Sequence, residues 1–502
     1  MPLLQFLTIK QKQHNPHFFG KNKLALIPLC LCLTQLGHTQ ELSYNDAENT
    51  VLKHSYSTQA SAALQQAANL NADALKYLAL PRVTFNAIGY SFRTESSIPL
   101  NSVKDSIKNS FSQGLTNQLS DVQSQLGLSD EAVKAINSGT QEAVGRGVNL
   151  IPNNVDVTVK DHGFTPSISM IMPLYTGGLI RTTQKIAQLQ SGRSALNDQQ
   201  QQNIQRFEVI QNYFNVQLQQ QLFNVAQHNL NTMQRHLDNA VKLEKQGFIS
   251  QGQRMQFEVA RNTASRALES VQIERSNSLF VLHNLLKQPD DLQLLTPLFI
   301  NQHMVQDLSS LLQSYPQQSA LIQKMQLDSA IAEQNVKLQN VARKPSIYAF
   351  GDYGLDKHHN WIVGIAARYN LFSGIDAKKK AEAAEFEHQA VELSTEKSKQ
   401  EIENILFKAF SSMQRCQKTN ALLQQDKQAA QENLRIQNLS FKEGMGTPTQ
   451  IIDAENALNA IRAEEAMNAY QYILALATLL QSHGSLDQFT SYITLPNTVY
   501  IR

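Results

Sequence analysis

Pro173-Leu-Tyr-Thr-Gly177 and Asn370-Leu-Phe-Ser-Gly374 are one short passage written twice, their final glycines 197 positions apart. Gly247-Phe-Ile-Ser250 and Gly444-Met-Gly-Thr447 recur at the same spacing, again 197. An equal offset maintained from 177 to 247 means two ungapped copies of one structural unit. Upstream, His54-Ser-Tyr-Ser57 resembles Gln313-Ser-Tyr-Pro316, and Leu80-Pro-Arg-Val83 stands where Lys344-Pro-Ser-Ile347 stands in the second copy. The duplication therefore spans most of the chain. The copies differ chiefly in front of the glycines: Pro81 to Gly177 covers 96 positions and Pro345 to Gly374 only 29, so the first copy carries 67 extra residues. They fall in 93–165, a stretch rich in Ser, Asn, Gly and Gln with a weak helical pattern from Val103 to Leu119. This is read as an enlarged surface loop, since loops lengthen at little thermodynamic cost.

Beyond Gly177-Gly178, apolar residues fall at Ile204, Phe207, Ile210, Phe214, Leu218, Leu222 and Val225, in steps of three and four. The second copy has the same rhythm at Ile402, Ile405, Leu406, Ala409, Phe410, Met413 and Cys416. That spacing is one face of a helix. No proline interrupts Ile180 to Lys245 or Ile375 to Lys442, so each helix can run roughly 100 Å at about 1.5 Å per residue. Gly247 and Gly444 are the predicted helix breaks, because glycine accepts the left-handed conformation that ends a helix, and Lys245 and Lys442 sit in the last turns where the dipole favours cations. Ser250-x-x-Gln253 and Thr447-Pro-Thr-Gln450 are capping boxes that start returning helices, Gln251 to about Lys287 and Pro448 to about Gln481. Each copy is predicted to be a helical hairpin preceded by a further helix, Ser43 to Leu78 in one and Leu308 to Val341 in the other.

Strand patterns are few. Ile168, Met170, Met172 and Leu174 alternate with their neighbours, as do Val363, Ile365, Ala367, Tyr369 and Leu371; Val83 to Phe92 and Ser346 to Gly354 are two more candidates. Each is near the 9 to 11 residues that cross a bilayer at a tilt, and each copy pairs two as a hairpin. Four strands cannot close a barrel, since the smallest membrane barrels use about eight. An open sheet in lipid leaves its edge groups unpaired at several kcal/mol each. If these strands span a membrane, the chain must oligomerise, and three copies give twelve strands.

Composition excludes several classes. A formal net charge of +2 over 502 residues, with 17% charged, provides no basic field for nucleic acid. The polar half of the chain relies on Gln, Asn, Ser and Thr, as in Gln199 to Gln205 and Gln217 to Gln221, which suits an aqueous passage or a close subunit seam. From Lys21 and Lys23 the sequence enters the apolar run Leu24 to Leu33 and then small or polar residues at Gly37 to Gln40, the layout of a secretory signal. Residues 1–39 are read as that signal, the alternative being a short buried or anchoring helix; no lipoprotein box precedes Cys30 or Cys32. Cys416 is then the one thiol of the body, on the apolar stripe, and no disulfide framework is available. Elsewhere no run of about 18 apolar residues marks a transmembrane helix.

The order of helix, Pro-led strand, strand, Leu-aromatic-x-Gly turn, long helix, Gly break and returning helix, present twice between about Glu41 and Gln488, resembles the outer membrane factor or TolC family. Pro173 to Gly178 and Asn370 to Gly374 are similar to its strand-to-helix turns, built on Gly177, Gly178 and Gly374. Gly444 to Ala460, with Ile451-Ile-Asp-Ala-Glu455 and Leu458, is similar to its signature before the last helix. The resemblance implies a mainly α TolC-like channel-tunnel with four strands and long helical hairpins per chain, and a 12-stranded β-barrel in a homotrimer. It implies an outer-membrane location with the helical tunnel in the periplasm. The chain would be the exit duct of a tripartite efflux pump or a type I secretion system, working with a periplasmic adaptor and an inner-membrane transporter and embedded in the lipid bilayer. On this reading the chain divides into a signal peptide (1–39), a periplasmic or equatorial helix (40–80), a first β-hairpin with its long extracellular loop (81–177), a first helical hairpin (178–288), an equatorial segment and helix (289–344), a second β-hairpin (345–374), a second helical hairpin (375–483) and a C-terminal equatorial tail (484–502). Belt contributors are expected in 289–312 and after Gly484. In the family, acidic residues near the start of the last helix narrow the periplasmic aperture; Asp453 matches one such position, and Gln450 stands where some members carry a second acid. The first copy has Gln256 in place of Asp453. As a plain helix feature, Asp453 would instead serve the dipole for about 0.3–1 kcal/mol. Glu455 is read as solvated or subunit-facing.

No constellation for catalysis, cofactor or metal is found in the sequence, and neither an enzyme nor a cofactor is expected. HExxH, CxxC and Gly-Lys-Ser are absent, and Gly145-Arg-Gly147 lacks the strand and helix context of a dinucleotide loop. His358-His359 fits a surface turn. Glu382, Glu385, Glu387 and Glu392 alternate with Lys378 to Lys380, Lys397 and Lys399 as a solvated face. Two other readings stay open at this point: a soluble periplasmic coiled-coil structural protein, which the strand hairpins disfavour, and a periplasmic adaptor, which lacks its β-rich segments.

Overall fold

The structure, a computed structural model, describes residues 40–91, 162–287, 292–302, 307–371 and 374–502, together with isolated positions between 106 and 147. The signal segment 1–39, nearly all of the loop 93–165 and the Val103 to Leu119 pattern lie outside the described residues.

Two copies of one unit are present. The first runs α1 (Tyr44–His54), α2 (Tyr56–Ala74), β2 (Arg82–Ser91), β3 (His162–Tyr175), α3 (Leu179–Lys245) and α4 (Gln251–Leu286), after a short β1 (Gln40–Leu42). The second runs α5 (Leu308–Gln318), α6 (Ala320–Val341), β6 (Ser346–Gly354), β7 (Trp361–Arg368), α7 (Ala377–Lys442) and α8 (Pro448–His483). Between the copies lie β4 (Leu292–Leu294) and β5 (Leu298–Asn301); α9 (Phe489–Ile493) and β8 (Thr498–Ile501) end the chain.

The long helices are unbroken over 67 and 66 residues, as the absence of proline predicts. Their ends are capped as read: Gly247 and Gly444 have φ of 78° and 71°, and both capping boxes form reciprocally, Ser250 with Gln253 and Thr447 with Gln450. Side chains tie each hairpin along its length. Arg275 Nε donates to Gln220 Oε1 at 2.6 Å and Arg261 Nε to Gln234 Oε1 at 2.9 Å in the first. In the second, the buried Glu465 accepts from Lys427 Nζ at 2.8 Å and from Gln424 Nε2 at 2.6 Å.

Several expectations need correction. The helices expected over Ser43 to Leu78 and Leu308 to Val341 are each broken in two, because Ser55 and Ser319 adopt extended backbone (ψ of 132° and 113°). These serines stand 264 positions apart, as do Pro81 and Pro345. The true upstream equivalence therefore joins Ser55 to Ser319, and the likeness of His54-Ser-Tyr-Ser57 to Gln313-Ser-Tyr-Pro316 is out of register. β3 begins at His162, inside the stretch assigned to the loop, and β7 ends at Arg368 rather than reaching Leu371. Ile210, Phe214 and Leu218 of the predicted stripe are buried, while Ile204 lies 43% exposed; the core face of α3 is wider than the stripe and takes in Val209, Tyr213, Val216 and polar Gln205 and Gln217.

The core sits about half-way along the long helices. Tyr44, Tyr213, Phe214, Phe299 and Phe489 are each buried and linked by ring contacts centred on Phe214, which meets Tyr44 at 5.6 Å, Phe299 at 5.8 Å and Phe489 at 6.0 Å. Around it β1 pairs parallel with β4, and β5 antiparallel with β8. β4, β5 and β8, with the N-terminal β1, thus meet against the long helices. Long-helix glutamines satisfy that layer's backbone: Gln217 Nε2 donates to Leu294 O at 3.1 Å and Thr296 O at 2.8 Å, and Gln417 Nε2 to Asn301 O at 2.7 Å. This is one use of the glutamine-rich polar faces, since buried carbonyls require partners.

Candidate functional site

The four strands β2, β3, β6 and β7 form one antiparallel sheet in that order, so the two hairpins join through β3 and β6. Register separates its two faces. Arg82, Thr84 and Asn86 align with Ser167, Ser169 and Ile171, then with Asp352 and Phe350, and finally with Gly364 and Arg368. On this face Asn86 Nδ2 donates to Ser169 Oγ at 2.7 Å and Ser169 Oγ to Asp352 Oδ2 at 2.5 Å, a polar ladder across three strands. The opposite face carries Val83, Phe85, Phe164, Trp361, Val363 and Ile365, all between 63% and 71% exposed. A sheet with one polar, hydrogen-bonded face and one bare apolar face has the pattern of a barrel wall between water and lipid. Among the described residues no helix is long and apolar enough to cross a membrane.

The sheet hands over to the helices at the predicted turns. Gly177, Gly178 and Gly374 have φ of 64°, 103° and 70°. A Cβ on Gly177 would lie 2.8 Å from Lys344 Cβ, so the residue is fixed by closeness as well as by backbone hand. Gly178 is the N-cap of α3, whereas α7 is capped by Asp376, whose side chain accepts from the Lys378 and Lys379 amides.

At the far end of the hairpins, Asp453 is exposed one turn into α8. Gln450 is held differently: its Oε1 accepts from the Thr447 amide at 2.7 Å, which commits the side chain to the helix cap. Thr449 Oγ1 reaches Gln256 Oε1 at 3.4 Å, joining the two hairpin tips at the position matching Asp453 in the first copy. Glu455 corrects its reading as solvated or subunit-facing. It is buried inside the protomer, its Oε1 3.8 Å from Nε2 of His236 on α3, and the His236 ring stacks on Phe257 at 5.7 Å. The signal was present, since Glu455 falls four residues after Ile451 and three before Leu458, both buried; its partner His236, 219 positions away, had none. His358 and His359 are in the exposed β6–β7 turn, and Cys416 is buried.

A family model described as outer membrane efflux protein matches residues 311–485, the second copy from α5 to the end of α8. No curated protein matches the chain by sequence. In fold the chain is similar to CusC, described for its folding and transmembrane channel formation, with a TM-score of 0.69 at 14% identity over 88% of this chain and 92% of that one. It is similar to the outer membrane protein VceC from Vibrio cholerae, with a TM-score of 0.68 at 12% identity over 88% and 96%. It is similar as well to the MtrE outer membrane channel of Neisseria gonorrhoeae in its open state, with a TM-score of 0.64 at 16% identity over 88% and 89%. With the doubled unit and the two-faced sheet in place, the chain has the TolC-like channel-tunnel fold, and its second copy matches the outer membrane efflux protein family over residues 311–485.

Proposed function

We propose that three copies of this chain assemble into an outer-membrane channel with a 12-stranded barrel and a helical tunnel in the periplasm, serving as the exit duct of an efflux pump or a type I secretion system. The observation that carries this reading is the four-stranded sheet with its bare apolar face. β2 and β7 are its outer strands, and in lipid their free backbone groups need partners. Pairing β2 of one protomer with β7 of the next satisfies both edges and closes the ring, with the apolar face to lipid and the Asn86-Ser169-Asp352 face to water. A soluble coiled-coil protein gives no role to Val83, Phe85, Trp361, Val363 and Ile365. Energy and cargo selection fall to an adaptor and an inner-membrane transporter.

The exposed Asp453 is assigned to the aperture. Threefold symmetry places three such carboxylates around one axis, where like charges attract cations. Planar-bilayer recording tests both levels. The purified protein is expected to conduct, with current reduced by added divalent cation, and Asp453→Ala is expected to lose that block. Conduction with unchanged block removes the aperture role of Asp453; no conduction removes the duct.

A further inference from the structure

Both flanks of the protomer carry a bare apolar stripe. In the half nearer the sheet, α2 packs on α3, α3 on α6 and α6 on α7, the order in which β2, β3, β6 and β7 lie in the sheet. α2 and α7 are therefore the outer helices. On α2, Ala60, Ala63, Ala67, Leu70 and Ala74 follow in steps of three and four, and every one is exposed. On α7 the same holds for Ala383, Phe386, Ala390 and Leu393. Such steps make one continuous helix face, the spacing of a coiled-coil seam. Leu64 and Leu70 on α2 and Phe386 and Leu393 on α7 are each between 64% and 71% exposed.

The duplication points to what covers these faces. Residues of α3 stand 197 positions before their equivalents in α7, and residues of α6 stand 264 positions after theirs in α2. The counterparts of the α2 stripe are Lys324, Leu327, Ile331, Gln334 and Leu338 of α6. Those of the α7 stripe are Ile186, Leu189, Arg193 and Leu196 of α3, and all of these counterparts are partly or fully covered. They are covered because α3 and α6 face one another: Arg193 Nε lies 2.5 Å from Asp328 Oδ1, and Ile186, Ile331 and Leu338 share one apolar cluster. The join inside one chain is thus a template for a join between chains, with α7 of one copy in the part of α3 and α2 of the next in the part of α6. Arg193 and Asp328 map to Ala390 and Leu64, so an ion pair inside the chain becomes an apolar contact between chains. The helices run antiparallel in both joins, which sets Phe386 beside Ala67, Leu393 beside Ala60 and Ala63, and Leu70 beside Ala383. Large residues then meet small ones, as interdigitated packing requires.

We propose that α7 of one copy seats on the apolar stripe of α2 of the next, with Ala390 against Leu64, in a head-to-tail seam that continues the β2–β7 pairing into the helical body. Contacts of this heterologous kind repeat around a ring and close it. The seam rests on the trimeric reading and fixes which helix faces which, and in what register. The test is thiol cross-linking of the full purified chain in mild detergent with a short bismaleimide, using Leu64→Cys combined with Ala390→Cys. Controls are Leu64→Cys with Glu392→Cys, two residues on and therefore roughly on the opposite side of α7, and Leu64→Cys or Ala390→Cys alone. All three positions are exposed in the protomer, where substitutions are tolerated, and the parent chain, whose Cys416 is buried, gives the background. α3 and α6 stand between α2 and α7 of one protomer, so a link joins two chains. Expected are bands of two and three chains on a denaturing gel for the Leu64→Cys, Ala390→Cys pair and single chains for the controls. Single chains for that pair, equal linking through Glu392→Cys, or linked chains for Leu64→Cys alone, which sets α2 against α2, overturn the seam. Native mass of the same samples separates the two claims: three chains without the link refute the seam and leave the trimer, and one chain refutes both.

Discussion

Gly484→Ala is expected to destabilise the protomer by roughly 3 kcal/mol, whereas Gly178→Ala at a similar backbone angle should cost about 1–2 kcal/mol. Gly484 ends α8 with φ of 99°, its amide and that of Ser485 both returning to Leu480 O at 2.9 Å. Any L-residue is strained there. A Cβ would in addition lie 2.3 Å from Gln318 O and 2.5 Å from its carbonyl carbon. Those are backbone atoms of the α5–α6 break, which cannot yield as a side chain can. At Gly178, φ is 103° and nothing lies within 4 Å, so only the backbone term applies. Neighbouring groups lock the same joint: His483 Nε2 lies 2.8 Å from Ser314 Oγ and its Nδ1 2.9 Å from Ser485 Oγ, and burial lowers the His483 pKa, favouring the neutral ring. Urea unfolding of the two variants against the parent measures the difference. Equal losses at the two glycines would contradict the steric part of the argument.

Phe214→Ala is expected to cost about 3–5 kcal/mol, the range for emptying a buried aromatic site. Phe214 is fully buried and its ring touches those of Tyr44, Tyr213, Phe299 and Phe489. These come from the N-terminal segment, the long helix, the inter-copy strand and the C-terminal tail. Removing the ring opens a cavity that a rigid helix 67 residues long has little freedom to fill. Phe248→Ala, at a position 74% exposed, should stay within about 0.5 kcal/mol. Thermal unfolding of both variants decides it, and a loss near 1 kcal/mol at Phe214 would show that the layer is not the keystone of the helical body.

The elements were legible in the sequence wherever they are written in local chemistry. Proline-free length gave the long helices, the Ser250-x-x-Gln253 and Thr447-x-x-Gln450 boxes gave their returns, and Gly177 and Gly374 gave the turns. What escaped is what depends on partners distant in sequence. The likeness of 54–57 to 313–316 is out of register because the extended backbone shared by Ser55 and Ser319 is set by folding, not by local letters. Glu455 reads as solvated or subunit-facing because positions beside Asp453 on the helix point elsewhere; its burial beside His236 depends on packing between hairpins. Ile204 reads as inward because apolar residues define a stripe, even where Gln205 takes the buried position to meet Ser55, whose Oγ donates to its Oε1 at 2.7 Å. The β3–β6 junction, which turns two hairpins into one wall, has no local signal. For the aperture, the resemblance alone points to Asp453 and Gln450; Asp453 is exposed, and Gln450 Oε1 accepts from the Thr447 amide.

The barrel depends on β2 and β7 finding each other in neighbouring copies. Native mass measurement in mild detergent tests that most directly. A species of three chains is predicted, reverting to one on heating; a stable single chain retaining its β signal, with no larger species, would contradict it.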